Sequence, residues 1–226
     1  PILDELNSHM VDGIIYIAGH ARKINCFPEN FGTPAVMAYA YDQNPMVSAV
    51  LPDDETSAYQ MTRYLIRKGH KKIALLAGRE DNLHTRRRLK GYQNALFDAQ
   101  ILYNPRLVRY VDWNKPSGYQ ETKRLLKEDI TAIFCMADTI AGGVYQYLDE
   151  QGLRAGRDVS VVGFDNQVLS EYMIPGLTTM ALPLKEIGTT SAKLLFDQIE
   201  KGEVEMNREI LIPCFLVERC SVKEIK

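Results

Sequence analysis

No apolar run in the sequence approaches the roughly 20 residues that a membrane span needs, so a membrane-spanning helix is excluded. Glycine-rich phosphate loops are missing too. There is no Gly-x-Gly-x-x-Gly, no Gly-x-x-x-x-Gly-Lys and no Gly-x-Ser-x-Gly elbow, which removes the usual nucleotide-binding and serine-hydrolase signatures. Charge of one sign is also lacking. With 27 basic and 29 acidic residues the net charge is −2, and a chain without a basic surplus is a poor nucleic-acid binder by itself. The four cysteines, at 26, 135, 214 and 220, form no Cys-x-x-Cys pair and read as free thiols of a reducing compartment. The histidines, 9, 20, 70 and 84, show no metal-ligand spacing, so no metal and no cofactor is expected. The sequence starts without Met and without a signal-like segment, and is expected to be a fragment.

What remains is ordinary globular material, 46% hydrophobic and 25% charged over 226 residues. Apolar runs at 13–18, 34–39, 46–50, 72–77, 107–111, 131–136, 159–163 and 209–217 read as strands. Between them, 56–68, 86–99, 117–127, 138–151 and 185–200 carry apolar residues at helical spacing, for example Ala58, Met61, Leu65 and Ile66. Gly69 and Gly152 stand where helices prefer to stop. Strands alternating with helices of this length predict an α/β fold with parallel sheets. The strands are short and apolar throughout, which suits a sheet covered on both faces.

Candidate chemistry is sparse. Asp53, Asp54 and Glu55 precede a helix, where acids favour the dipole. The basic run Arg86-Arg87-Arg88 reads by default as a solvated helix start. "VSVVGFDN" (159–166) ends a strand on Gly163 and then presents Phe164, Asp165 and Asn166. A turn explains this, because Asp and Asn bond nearby backbone. So does a ligand site, because ligands of open α/β sheets sit beyond the carboxyl ends of the strands. No nucleophile or metal set accompanies it, so catalysis is not expected.

Six stretches in order settle which reading to follow: "LIRKGHKKIALLAG" (65–78), "RRLKGY" (87–92), "TAIFCMADTIAGG" (131–143), "GRDVSVVGFDN" (156–166), "IPGLTTMALPLKEIG" (174–188) and "LVERCS" (216–221). Together they resemble the effector-binding core of lactose/galactose-repressor-type (LacI/GalR) transcriptional regulators, over essentially the whole chain. The resemblance implies two similar Rossmann-like lobes of the periplasmic-binding-protein type, joined by three crossover strands. Pro52, Pro183 and Pro213, each after a strand-like run, match the crossings. Lobe one is then 1–51 with 184–213, and lobe two 52–180 with 214–226. The family's opening strand–helix–strand and its helix-turn-helix headpiece are absent from this sequence.

The family further implies a small effector, a sugar or sugar phosphate, held between the lobes. Arg88 matches its effector clamp, and a guanidinium suits vicinal oxygens. Asp165 matches the acid that accepts from sugar hydroxyls. Trp113 is either an aromatic face for a sugar ring or core packing. Asp138 matches the acid of the family's Asn-Asp pair, or is a helix N-cap. Ala137 replaces the Asn, which predicts altered specificity. Tyr39, with Tyr41 nearby, stands where some relatives place a pocket acid, and His70 matches a structural turn residue. The resemblance also implies a cytoplasmic homodimer, with Met173 and Ile174 at the contact or in the core, and operator DNA as partner through the absent headpiece. A periplasmic sugar-binding protein of a transport system shares the two-lobe plan and is the alternative.

Overall fold

The computed structural model describes residues 2–18, 23–28, 31–202, 206 and 208–225. His20 lies outside them. The chain forms two compact units, Pro1–Asp53 with Pro183–Pro213 and Asp54–Leu182 with Cys214–Lys226.

Unit one opens with α1 (Ile2–Ser8), β1 (Ile14–Ile17), β2 (Lys23–Ile24), β3 (Ala35–Ala38), β4 (Tyr41–Asp42) and β5 (Ser48–Pro52). The chain then passes into unit two, which contributes α2 (Asp54–Arg67), β6 (Ile73–Ala77), α3 (Leu83–Asp98), β7 (Val108–Tyr110), α4 (Lys115–Leu125) and β8 (Ala132–Cys135). There follow α5 (Asp138–Glu150), β9 (Ser160–Asp165), the short α6 (Leu169–Tyr172) and β10 (Thr178–Ala181). Unit one resumes with α7 (Leu184–Lys201) and β11 (Glu209–Ile212), and β12 (Phe215–Val217) returns to unit two.

Unit one holds a four-stranded parallel sheet, β1-β3-β5-β11, and a small parallel pair, β2-β4. Ile187 and Leu194 of α7 pack on Val36, Ala38 and Val50 of that sheet. Unit two holds a six-stranded sheet, β12-β10-β9-β8-β6-β7, parallel throughout except that β12 runs antiparallel to β10. Alternate residues of its strands supply two separate cores. Leu75, Phe134 and Val162 face the α2–α3 side, and Leu76, Ile133 and Val161 the α4–α5 side. This covering of both faces is why β6 and β8 are apolar at every position.

The α/β class with parallel sheets is thus the architecture of the chain. The single apolar run read at 209–217 divides at Pro213, which has no N–H for a ladder, and its halves join different sheets. Helix α3 begins at Leu83 rather than at 86, because the Asn82 side chain accepts from His84 N–H (2.9 Å) and caps the extra turn. Helix α4 begins two residues early for a similar reason: Asn114 caps it by accepting from Ser117 N–H at 2.9 Å. Elements α1, β2, β4 and α6 are too short to leave a periodic signal.

Candidate functional site

Helix α3 carries three consecutive arginines, and its geometry treats them differently. Arg86 is exposed, Arg87 is half-buried, and Arg88 is turned inward with 2% of its surface exposed. The default of a solvated basic run therefore fails at its last member. A buried cation needs a partner. Arg88 Nε donates to Asp54 Oδ1 at 2.7 Å, and Nη1 donates to the Met136 carbonyl just past β8. Its guanidinium carbon lies 3.6 Å from the centroid of the Phe164 ring, a stacked cation–π contact. Asp54, the first residue of α2 and fully buried, also pairs with His84 Nδ1, one turn before Arg88 on the same face of α3. Burial works to raise the Asp54 carboxyl, but Arg88 and His84 together hold it below the usual carboxylate value.

Strand β9 delivers the second acid. Asp165 stands at its end with φ +107° and is followed by Asn166 at φ +56°. Left-handed conformations at two successive non-glycine residues are costly and concentrate at functional sites. Asp165 Oδ1 lies 3.8 Å from Arg88 Nη1, and Oδ2 accepts from the Gln167 side-chain amide at 3.2 Å. Burial pushes the Asp165 carboxyl up to about 7, and Asp138 and Asp54 add to the rise against the pull of Arg88. The turn reading of "VSVVGFDN" is realised as a strained turn that points a carboxyl at a buried guanidinium.

Asp138 lies behind this turn. It is not the helix N-cap, a position that falls to Ala137, whose side chain has no oxygen to offer. Asp138 is the first residue of α5 and fully buried. Its Oδ1 accepts from the Thr179 hydroxyl and its Oδ2 from the Gln167 N–H, both at 2.7 Å. Burial raises its carboxyl to about 6 in spite of these bonds. Asp138 thus ties the loop after Asp165 to strand β10. Gly163 makes room, since a Cβ there would fall 2.2 Å from Asp138 Oδ1.

Trp113 is half-buried and packs on both cores of unit two. Its ring lies so close to Gly78 that a Cβ there would meet it at 1.9 Å. This packing leaves part of the Trp113 side chain exposed. Tyr39 belongs to unit one, at φ +64° beside the Val36–Val50 core, with its N–H donating to Val50 O at 2.9 Å. Tyr41 lies in β4 of the same unit. His70 is buried and joins the Thr131 hydroxyl (2.9 Å) to the Lys223 carbonyl (3.1 Å), a structural brace. Arg88, Asp165, Ala137 and Asp138 therefore converge at the strand ends of unit two. The partners missed in the sequence are Asp54, His84, Phe164 and the Met136 carbonyl. The four-residue spacing of His84 and Arg88 was the available signal for one of them.

Near the same sheet edge, beyond β6 and β7, a cavity of about 600 Å³ is lined by Arg79, Asp81, Asp112 and Glu121 among others. Among the described residues no cluster of His, Cys, Asp and Glu is arranged to hold a metal ion, and no helix is long and apolar enough to cross a membrane.

Comparison with known proteins gives the family of the chain. Residues 62–222 match the periplasmic binding protein-like domain family. The ribose operon repressor of Haemophilus influenzae is 30% identical over 226 residues, covering 99% of this chain and 68% of the repressor. The chain belongs to the LacI family. The HTH-type transcriptional repressor CytR of Escherichia coli K12 is another LacI-family relative, 34% identical, with 99% of this chain and 66% of CytR covered. Among solved structures, a LacI family regulator from Enterococcus faecium with bound ribose superposes with a TM-score of 0.79 at 31% identity, covering 100% of this chain and 84% of that one. The regulator CelR in complex with cellobiose gives 0.78 at 28% identity, covering 96% and 69%. The chain spans between 55 and 68% of the length of the curated relatives named here and of a PurR repressor from Vibrio atlanticus. These relatives are transcriptional repressors, so the chain is the core of a LacI-family regulator, neither an enzyme nor a transport protein.

Proposed function

We propose that this core senses a small polyhydroxy effector, a sugar in the first instance, at the strand ends of unit two. Arg88 supplies planar donors and Asp165 the opposing acceptor. The single observation that carries the reading is the buried guanidinium, stacked on Phe164 and facing Asp165 across 3.8 Å, in a LacI-family chain. Relatives crystallised with ribose and with cellobiose support the ligand class. An effector changes the protein only by binding one conformation better than another, and the strained Asp165–Asn166 turn is the element we assign to that preference. We further propose that the whole protein acts in the cytoplasm and binds operator DNA through a headpiece that this sequence does not contain, as the family's repressors do.

The same proposal includes a homodimer. Val168, Tyr172 and Ile174 are 73%, 79% and 87% exposed within seven residues, beside a groove of about 940 Å³. Large exposed apolar side chains this dense mark interaction surfaces. Met173, by contrast, packs on the α4–α5 core. Light scattering should give a dimer that Tyr172→Asp with Ile174→Asp converts to monomer; an unchanged mass rules this face out. For the effector, thermal shift with a panel of sugars should find one that raises Tm, since a ligand of the folded state stabilises it. The shift should vanish in Arg88→Ala; a shift that persists there removes Arg88 from the site.

A further inference from the structure

The charges around Arg88 do not describe an anion site. Side chains that hold phosphate or carboxylate groups keep a cation, or a helix N-terminus, available to them. Here the Arg88 charge is already met by Asp54, whose Oδ1 accepts from Nε at 2.7 Å in a fully buried pair. A second carboxylate, Asp165, stands 3.8 Å from Nη1. A third, Asp138, is behind Asp165 and raises its proton affinity further. Asp138 also occupies the first position of α5, so the helix end that would attract an anion carries an acid of its own. Beside Arg88 stand three carboxyls, with His84 sharing Asp54 and Arg219 acting electrostatically on Asp138. Of the three, Asp54 is the carboxylate bonded to the guanidinium, so an incoming phosphate would shed its water against a cation whose charge is already met. A hydroxyl loses nothing in this setting, because it offers an acceptor to the guanidinium and a donor to a carboxylate.

We infer that Asp54 determines specificity: by cancelling the charge of Arg88 it confines the site to uncharged polyhydroxy ligands and excludes those bearing phosphate or carboxylate. The inference rests on the reading above, that the ligand meets Arg88 and Asp165. It narrows the expectation of a sugar or sugar phosphate to the neutral member. Asp54 is fully buried and bonded to Arg88, through which it acts, and this makes it a positioning residue. Discrimination of this kind comes from the repulsive element as much as from the attractive one.

The test compares matched probes by titration calorimetry: D-ribose with D-ribose 5-phosphate, D-glucose with D-glucose 6-phosphate, and adenosine with adenosine 5′-monophosphate. In the parent protein the neutral member of a pair should bind more than about tenfold tighter than its phosphorylated partner. Asp54→Asn keeps the shape and frees the charge of Arg88. It should move that ratio toward the phosphorylated member by on the order of tenfold and make binding of that member salt-sensitive. Should Asp54→Asn not fold, the ratio in the parent decides alone. A phosphorylated probe that binds the parent as tightly as its neutral partner, and is lost in Arg88→Ala, overturns the inference and leaves the site standing. Absence of binding by every probe, or binding indifferent to Arg88→Ala, overturns both.

Discussion

The two units share one βα plan and differ in what covers their sheets. In unit two, β6, β8 and β10 are buried at every position and β9 at all but its last. In unit one only β3 and β5 are buried throughout, while β1 and β11 alternate between covered and exposed residues, with Ile17 at 77% exposure. The difference explains where the chemistry sits. A buried ion pair needs a water-poor environment with many bonded partners, and only a sheet covered on both faces builds one at its strand ends. Unit one's buried contacts include a Gln198 amide donating to the Ser48 hydroxyl at 2.9 Å and a Ser191 hydroxyl donating to the Ile187 carbonyl at 2.8 Å.

If unit two is the charged and rigid half, removing one side of its ion pair should be the most damaging change. Asp54→Ala is expected to cost about 3–5 kcal/mol by leaving Arg88 buried and unneutralised, read from urea unfolding. The double variant Asp54→Leu, Arg88→Met should lose less than the sum of the single changes; strict additivity would show that the pair is not a unit. Next in size is Gly163→Ala, which drives a methyl into Asp138 and should cost about 1–3 kcal/mol. A neutral result there would mean that the Asp138 brace is dispensable.

The pH response is carried by groups of unit two. Asp165 and Asp138 have folded-state values raised to about 7 and about 6, above the unfolded carboxyl. The folded protein therefore holds more protons than the unfolded chain, and their contribution, complete below the unfolded value near 4, is lost as pH rises toward 7. Asp165→Asn, which tolerates a positive φ, should flatten this fall by about 1–3 kcal/mol between pH 5 and 7.5, measured as Tm against pH. His70 acts in the opposite sense. Burial lowers its value, so its contribution is lost as pH falls below the ordinary histidine range. The smallest effect belongs to unit one: Ile17→Thr, on an exposed position of β1, should stay within about 0.5 kcal/mol. A larger loss would mean that this face is covered in solution.

Much of the architecture was readable in advance. The apolar runs at 72–77 and 131–136 announced a doubly covered sheet, and Gly69 stands in the left-handed conformation expected of a helix stop, at φ +91°. The site was readable only in part. Arg88 and Asp165 emerged from the motifs around them, whereas Trp113 could be weighed either way and proved to be packed over Gly78. Asp54 hid inside Asp-Asp-Glu, because an acid at a helix start already has a sufficient explanation in the helix dipole. His84 has no metal-ligand spacing that would draw notice to it.

By itself the sequence determined the α/β class and the order of the longer strands and helices, since periodicity and chain-breaking residues act over a few positions. Only the tertiary structure decided which of three successive arginines turns inward, and that Asp54, 34 positions earlier, neutralises it. The reason is electrostatic. A charge is worth what surrounds it, and the low-dielectric surroundings of Arg88 are assembled from α2, α3, β8 and β9 only when the chain has folded.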